Sequence, residues 1–233
     1  MYRFKDFPVH IANYALAVYK KQVYVVGGRT IDKGSGDYCI ENRVWVADVL
    51  RDQISEEPYK LLEGPGLCLT EKKELASAMQ IDEYLFVFGG LVSVPNDNKR
   101  KNRSGMKQRL SNVIEFFDGE RFQRLDMVGE MPELPLYCAI RFSSLSDVQL
   151  IGGMNKDLVG LFSTVHVNLR EQTAELEEET FPMKHGLWFH TANFFVDNED
   201  NFMTFGVDNM ERYFVFRSDE KGDLHMELAS SSY

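Results

Sequence analysis

Val23-Tyr24-Val25-Val26-Gly27-Gly28 decides the fold, because the same pattern returns along the chain. It reappears as Tyr84-Leu85-Phe86-Val87-Phe88-Gly89-Gly90 and as Val148-Gln149-Leu150-Ile151-Gly152-Gly153. A worn fourth copy reads Phe202-Met203-Thr204-Phe205-Gly206. From Gly27 to Gly89, Gly152 and Gly206 the steps are 62, 63 and 54 residues. Self-similarity at such a period marks a repeat architecture. Two glycines let a strand leave its sheet with positive φ and let backbones approach closely.

Matching flanks surround each copy. A strand of small or apolar residues precedes it: Tyr14–Tyr19, Leu75–Met79, Tyr137–Phe142 and His190–Phe195. A short polar turn joins the two, so each pair reads as a tight hairpin. Past the glycine comes a polar loop, then a third strand at Arg43–Ala47, Asn112–Phe117, Ser163–Val167 and Arg212–Phe216. A weaker fourth strand follows at Tyr59–Leu62, Phe122–Leu125, Ala174–Leu176 and His225–Leu228. Pro65, Pro132, Pro135 and Pro182 mark the exits, where a missing amide donor costs no sheet pairing. Four antiparallel strands per unit describe a propeller blade. The expected architecture is all-β: one domain over 1–233, with units near 9–63, 64–128, 129–181 and 182–233. No segment keeps a capped 3.6-residue apolar period, so helices should be scarce.

The bulk properties narrow the function. The 233 residues suffice for one sizeable domain or repeat array, and 12% aromatics favour pleated, half-buried surfaces. A net charge of -10 repels phosphate backbones, which argues against general nucleic-acid binding. Cys39, Cys68 and Cys138 are odd in number and widely spaced, so they read as buried or half-buried thiols rather than a disulfide or zinc framework. Met1–Phe7 has no apolar signal core, and no apolar run approaches a membrane span. A cytoplasmic, reducing location is the expectation, and Asn102-Arg103-Ser104 is then a chance glycosylation pattern.

Signals for catalysis are poor, and neither a cofactor nor a metal is expected. Gly34-Ser35-Gly36 lacks the helix that a phosphate cradle needs. His185 and His190 bracket Trp188 without visible partner ligands. The sharpest local feature is the basic stretch Asn98–Arg109, which carries Lys99, Arg100, Lys101, Arg103, Lys107 and Arg109 in an acidic chain. It reads as a solvated loop, as a contact for an acidic partner segment, or, over Lys99–Arg103, as a nuclear-localisation or nucleic-acid patch. The acidic run Glu175–Glu179 reads as a solvated outer strand and turn.

These residues resemble the Kelch repeat. Its unit has Gly-Gly after the second strand, then Tyr-Asp and a Trp. The Gly-Gly is matched three times, and Phe117-Asp118-Gly119-Glu120-Arg121-Phe122 resembles the Tyr-Asp and Trp stretch with Phe at both aromatic positions. Trp45, Asp48 and Tyr59 stand in more loosely, and Trp188–Ala192 resembles the opening of a first strand. The third unit lacks the aromatic pair. The resemblance implies a Kelch-like propeller of about four blades. Tyr2–Pro8 resembles a fifth fourth-strand, which points to a partial propeller; a four-blade ring with one spare strand is the alternative. Open edges on a partial propeller would favour self-association.

The resemblance also implies a protein-interaction module, a scaffold or substrate adaptor, whose loop-rich face binds a partner peptide. In a four-stranded blade the post-glycine loops and the connectors emerge on one face. Here they are Arg29–Asn42, Leu91–Ser111 and Met154–Phe162, with connectors Gly64–Glu74, Gly129–Leu136 and Pro182–Phe189. The candidate contact residues are Arg29, Arg100, Arg103, Asn155, Lys156, Trp188 and Arg212. An acidic or mixed-charge peptide is the expected partner. The alternative is a small-molecule or carbohydrate enzyme on the same scaffold.

Overall fold

The computed structural model describes residues 7–31, 34, 36–47, 59–95, 106–161, 163–177, 187–189, 195–196, 202–208, 213–218 and 224–228. The chain groups into two compact units, Met1–Leu125 and Asp126–Tyr233. Every element among the described residues is a β-strand, and no helix there is long and apolar enough to cross a membrane. The protein is all-β.

In the first unit, β1 (Ile11–Ala12) precedes the hairpin β2 (Ala15–Tyr19) and β3 (Gln22–Val26). Lys20 and Lys21 both have positive φ in its two-residue turn, the conformation whose twist matches the paired strands. β4 (Arg29–Ile31) and β5 (Tyr38–Ile40) follow the glycines, then β6 (Val44–Ala47) and β7 (Tyr59–Leu61). The order β2-β3-β6-β7 makes the first repeat sheet, antiparallel throughout. Next come β8 (Lys73–Glu74), β9 (Ser77–Ile81), β10 (Tyr84–Phe88), β11 (Leu91–Pro95), β12 (Met106–Leu110), β13 (Ile114–Phe117) and β14 (Phe122–Leu125). β9-β10-β13-β14 is the second repeat sheet, with the same path.

The second unit repeats the plan. β15 (Ala139–Ser144), β16 (Asp147–Ile151), β17 (Thr164–Asn168) and β18 (Thr173–Glu177) form the third sheet in chain order. The fourth comprises β19 (Leu187–Phe189), β20 (Phe195–Val196), β21 (Phe202–Asp208), β22 (Tyr213–Ser218) and β23 (Leu224–Leu228). Here β19 and β20 pair with opposite ends of β21; of the expected first strand at His190–Phe195 only Phe195 is described, in β20, and 190–194 lie outside the described residues.

The four-strand plan is as the sequence led us to expect, and so is the backbone at the glycines. Gly27, Gly28, Gly89, Gly90, Gly152 and Gly153 all have positive φ. Gly206 departs from the pattern: β21 runs through it to Asp208 rather than ending there. The loops after the glycines also differ from expectation. Arg29–Asn42 holds the hairpin β4/β5, and Leu91–Ser111 holds β11/β12. Backbone amides leaving a sheet need new partners, and these segments pair with themselves and with neighbouring chain: β4 with β1, β11 with β8.

The first unit's core lies between its two repeat sheets. Ala15, Ala17, Tyr19, Tyr24, Val26, Val44 and Val46 meet Ala76, Ala78, Leu85, Val87, Phe117 and Phe122. The alanines of the first strands are nearly or fully buried, so these strands leave room for the larger rings beside them. Phe117 and Phe122 stack at 4.8 Å, while Asp118 accepts bonds from the amides of Glu120 and Arg121 at 2.8 and 2.9 Å. The Phe117–Phe122 stretch is thus a core pair closed by an Asp-capped turn. Of the predicted extra strand at Tyr2–Pro8, only Phe7 and Pro8 are described, and neither is in a strand; Phe7 packs against Trp45 and Tyr59.

Cys39 corrects the thiol reading, since it is exposed on β5; Cys68 is half-buried and Cys138 buried. β5 is the edge strand of a small three-stranded sheet, β1-β4-β5. Glu175, Leu176 and Glu177 are exposed on β18, as an outer strand should be; Glu178 and Glu179 lie outside the described residues.

Candidate binding surface

The glycine ends of the repeat sheets are where connectors and post-glycine hairpins meet. In the first unit the Gly28 amide donates to the Lys73 carbonyl at 2.8 Å, and the Lys73 amide donates to the Glu41 carbonyl at 3.0 Å. A Cβ on Gly27 would lie 2.5 Å from that Lys73 carbonyl, so glycine is what lets the connector cross. The second unit repeats the crossing. Leu136 and Met154 exchange backbone bonds of 2.9 and 2.8 Å beside Gly153, whose added Cβ would meet the Leu136 carbonyl at 2.5 Å. Connector and post-glycine segment therefore share one end of the first, second and third sheets.

Asn13, Leu75 and Tyr137 each adopt positive φ two residues before a first strand. Neither Leu nor Tyr signals that conformation, so the sequence hid this repeated kink.

Charged side chains fill the junction in the first unit. Glu74 is fully buried, paired with Arg29 and hydrogen-bonded by Asn13 at 2.8 Å. Arg29 also lies over the Tyr38 ring, 5.3 Å from its centroid. Glu41 accepts both arms of the Arg43 fork at 2.9 and 2.7 Å and the Thr30 hydroxyl at 2.6 Å. Lys73 and Glu115 form a pair at 2.8 Å with both side chains shut off from solvent. The Thr70 amide donates to the same carboxylate at 2.6 Å. Glu71 gathers Ser111 at 2.5 Å, Arg109 at 3.0 Å and Arg124 at 3.1 Å, with Lys73 at 3.9 Å.

Burial alone would push the Glu41 and Glu71 carboxyls up. Hydrogen bonds from Arg43 and Thr30 to Glu41, and from Ser111 and Arg109 to Glu71, outweigh it together with the neighbouring charges. Both groups end below the ordinary glutamate value of 4.5. A lowered folded-state pKa means that the unfolded chain binds more protons in that window. The stabilisation is therefore complete above pH 4.5 and is lost as pH falls through the lowered values. The urea midpoint should fall on acidification below that point, and Glu71→Gln should flatten the fall. An acid limb of unchanged slope in the variant would remove Glu71 from this account.

The predicted contact residues divide. Arg29 is tied to Glu74 and Tyr38, with 29% of its side chain exposed, so its first role is to hold the junction. The Asn155 side-chain oxygen accepts the amides of Asp157 and Val159 at 2.9 and 3.0 Å, which folds the 155–159 turn; Lys156 beside it is exposed. Arg29 belongs to the first unit and Asn155 and Lys156 to the second. Trp188 is in β19, its backbone opposite Val207, and its side chain is outside the described residues. Arg100, Arg103 and Arg212 also lie outside them, as do His185 and His190. Glu41, Glu71, Lys73, Glu74 and Glu115 were missed by sequence reasoning. For Glu71, Lys73 and Glu74 the run Thr70-Glu71-Lys72-Lys73-Glu74 was the one signal, and a charged connector normally means a solvated one.

Of the basic stretch, 98–105 lie outside the described residues and 106–109 are in β12. Residues 96–105 join β11 to β12, so Lys99, Arg100, Lys101 and Arg103 connect the two arms of a hairpin. Its base is fixed by Leu91 and Val92 pairing with Glu74 and Lys73, and by Arg109 on Glu71.

An all-β chain of antiparallel sheets, three of them four-stranded repeats of one path, is the class of protein that these observations define. No family model and no curated protein matches the sequence. Solved structures do, with 156 matching chains. One is the structure of YjhT, which aligns with a TM-score of 0.54 at 13% identity over 76% of this chain. That likeness concerns the fold alone. The chain covers 48% of the YjhT chain, about half its length.

Proposed function

We propose that this chain is a Kelch-like β-propeller array, complete or partial, that serves as a non-enzymatic protein-interaction module. It binds an acidic or mixed-charge peptide segment at the glycine ends of its repeat sheets and works as a scaffold or substrate adaptor in the cytoplasm. The repeated positive-φ glycine pairs and connector crossings support the Kelch-like reading.

The observation that carries the binding proposal is the hairpin β11/β12. Its base is anchored by strand pairing and by Glu71, and the linking stretch holds four cations in a chain of net charge -10. A rigid base presenting a local field of opposite sign favours an acidic segment and speeds its encounter. The Lys99–Arg103 run is also what a nuclear import receptor would read.

Affinity capture of the tagged chain from its own cells, followed by mass spectrometry, identifies the partner. Arg100→Glu with Arg103→Glu should then weaken capture by about tenfold or more and reduce its salt sensitivity, with the urea midpoint unchanged. Capture that ignores both reversals takes the basic stretch out of the binding surface.

A further inference from the structure

Arg109 and Arg124 come from different sheets and converge on one oxygen. Arg109 is opposite Val92 in the β11/β12 hairpin, and Arg124 is opposite Glu115 in the second repeat sheet. Their Nη2 atoms stand 3.0 and 3.1 Å from the same Glu71 Oε1. The other carboxylate oxygen, Oε2, accepts the Ser111 hydroxyl at 2.5 Å. A guanidinium carries five N–H donors, so one shared oxygen leaves most of two forks unspent. Among the described residues, Arg109 spends one more on the Leu110 carbonyl at 3.1 Å, and Arg124 spends none elsewhere. Both side chains are about half exposed, at 48% and 49%. Behind them Lys73 is fully buried, 3.9 Å from Glu71 Oε2, and its ammonium makes no hydrogen bond among the described residues. Three cations thus face two carboxylates, Glu71 and Glu115, which leaves one positive charge in excess in a chain of net charge -10. All of these groups belong to the first unit.

We propose that Arg109 and Arg124 bind a phosphoryl group, with Glu71 as the internal occupant that keeps weaker anions out. The group is carried by the partner segment, and in that respect the proposal rests on the peptide-binding reading above. A carboxylate ligand offers only what Glu71 already supplies, and Glu71 is tethered at an effective concentration of about millimolar or more. A phosphoryl group brings about -1.5 to -2 charges and three acceptor oxygens, so it takes both forks at once. Glu71 need not leave: Ser111 and Lys73 hold its Oε2, and only the shared Oε1 is given up. A nucleic acid would set many phosphates against the net charge of -10, which leaves an isolated phosphoryl group as the matching ligand.

NMR titration of the full chain with inorganic phosphate reads the site directly, through the guanidinium N–H signals. Two charge-assisted contacts predict a dissociation constant of about 1 mM. Arg124→Gln should weaken binding by about tenfold, and Arg109→Gln decides if that variant does not fold. Lys60→Gln, the same charge change on exposed β7, should leave binding unaltered. Glu71→Gln should tighten phosphate binding and admit acetate, which the unaltered chain ignores; a merely structural Glu71 would change neither. A pentapeptide carrying phosphoserine, against the same peptide with Glu, separates the sources. A preference of about tenfold or more for phosphoserine places the group on a peptide. Binding of free phosphate alone keeps the site and overturns its peptide source, while the capture experiment above tests the peptide-binding reading separately. No shift up to about 10 mM phosphate overturns the proposal. So does a shift that Arg124→Gln and Arg109→Gln leave unchanged.

Discussion

Glu115→Ala should cost the first unit about 3–5 kcal/mol, because it strands the Lys73 ammonium in a site shut off from solvent. Both side chains of the pair are fully buried. Lys73 Nζ and Glu115 Oε1 stand 2.8 Å apart without hydrogen-bond alignment, so the attraction is mainly that of the charges. Glu71 lies 3.9 Å from the ammonium and already serves Ser111, Arg109 and Arg124, so it cannot replace the lost partner well. Domains of this kind hold only about 5–15 kcal/mol in total, which makes the loss a large share. The double variant Lys73→Met with Glu115→Leu removes both charges and should regain most of it. The remaining deficit is the Thr70 amide, which loses its acceptor at about 1–3 kcal/mol. Urea unfolding of the two variants reads the difference. A single variant that loses less than about 1 kcal/mol would mean that water reaches the ammonium and that the pair is not sealed.

That ion pair also shows where the sequence stopped being readable. The repeat was legible because it rests on local rules: strands of apolar residues, turns of a few polar ones, glycines where φ turns positive. Those rules placed the first three repeat sheets and their order, and the later strands of the fourth. Glu115 sits mid-strand at full burial, and Lys73 reaches it from 42 residues away along the chain. No local pattern marks a Lys that will be buried; its partner is fixed only once the connector has crossed the glycines. The hairpins β4/β5 and β11/β12 were hidden for a related reason. Residues such as Arg29-Thr30-Ile31 look like loop until β1 supplies the pairing. For the binding surface, the basic run 98–109 was visible as composition, while Arg29 was visible as a type and misleading as a role. An exposed-looking Arg beside a glycine turned out to be committed to Glu74.

The crossing that brings Lys73 to this position makes the second large prediction. Gly27→Ala should destabilise the first unit by about 3 kcal/mol, well beyond what backbone conformation alone costs. At φ +62 an alanine meets a penalty of about 1–2 kcal/mol for the left-handed region. The larger part comes from space: the new Cβ would lie 2.5 Å from the Lys73 carbonyl, a backbone atom that cannot swing aside. Moving it breaks the 2.8 Å bond from the Gly28 amide, at about 1–3 kcal/mol for a buried donor left unmade. It also shifts the strand that carries Lys73 and Glu74 into their ion pairs. Gly36→Ala isolates the first contribution, since φ is +72 there and nothing lies within 4 Å. The second unit offers the same comparison. Gly153→Ala would place its Cβ 2.5 Å from the Leu136 carbonyl at φ +88, whereas Gly129→Ala at φ +85 meets nothing. Denaturant midpoints for the four variants should separate into two costly and two mild substitutions. Equal losses in all four would show that positive φ alone keeps the glycines, and that the connectors do not need the close approach.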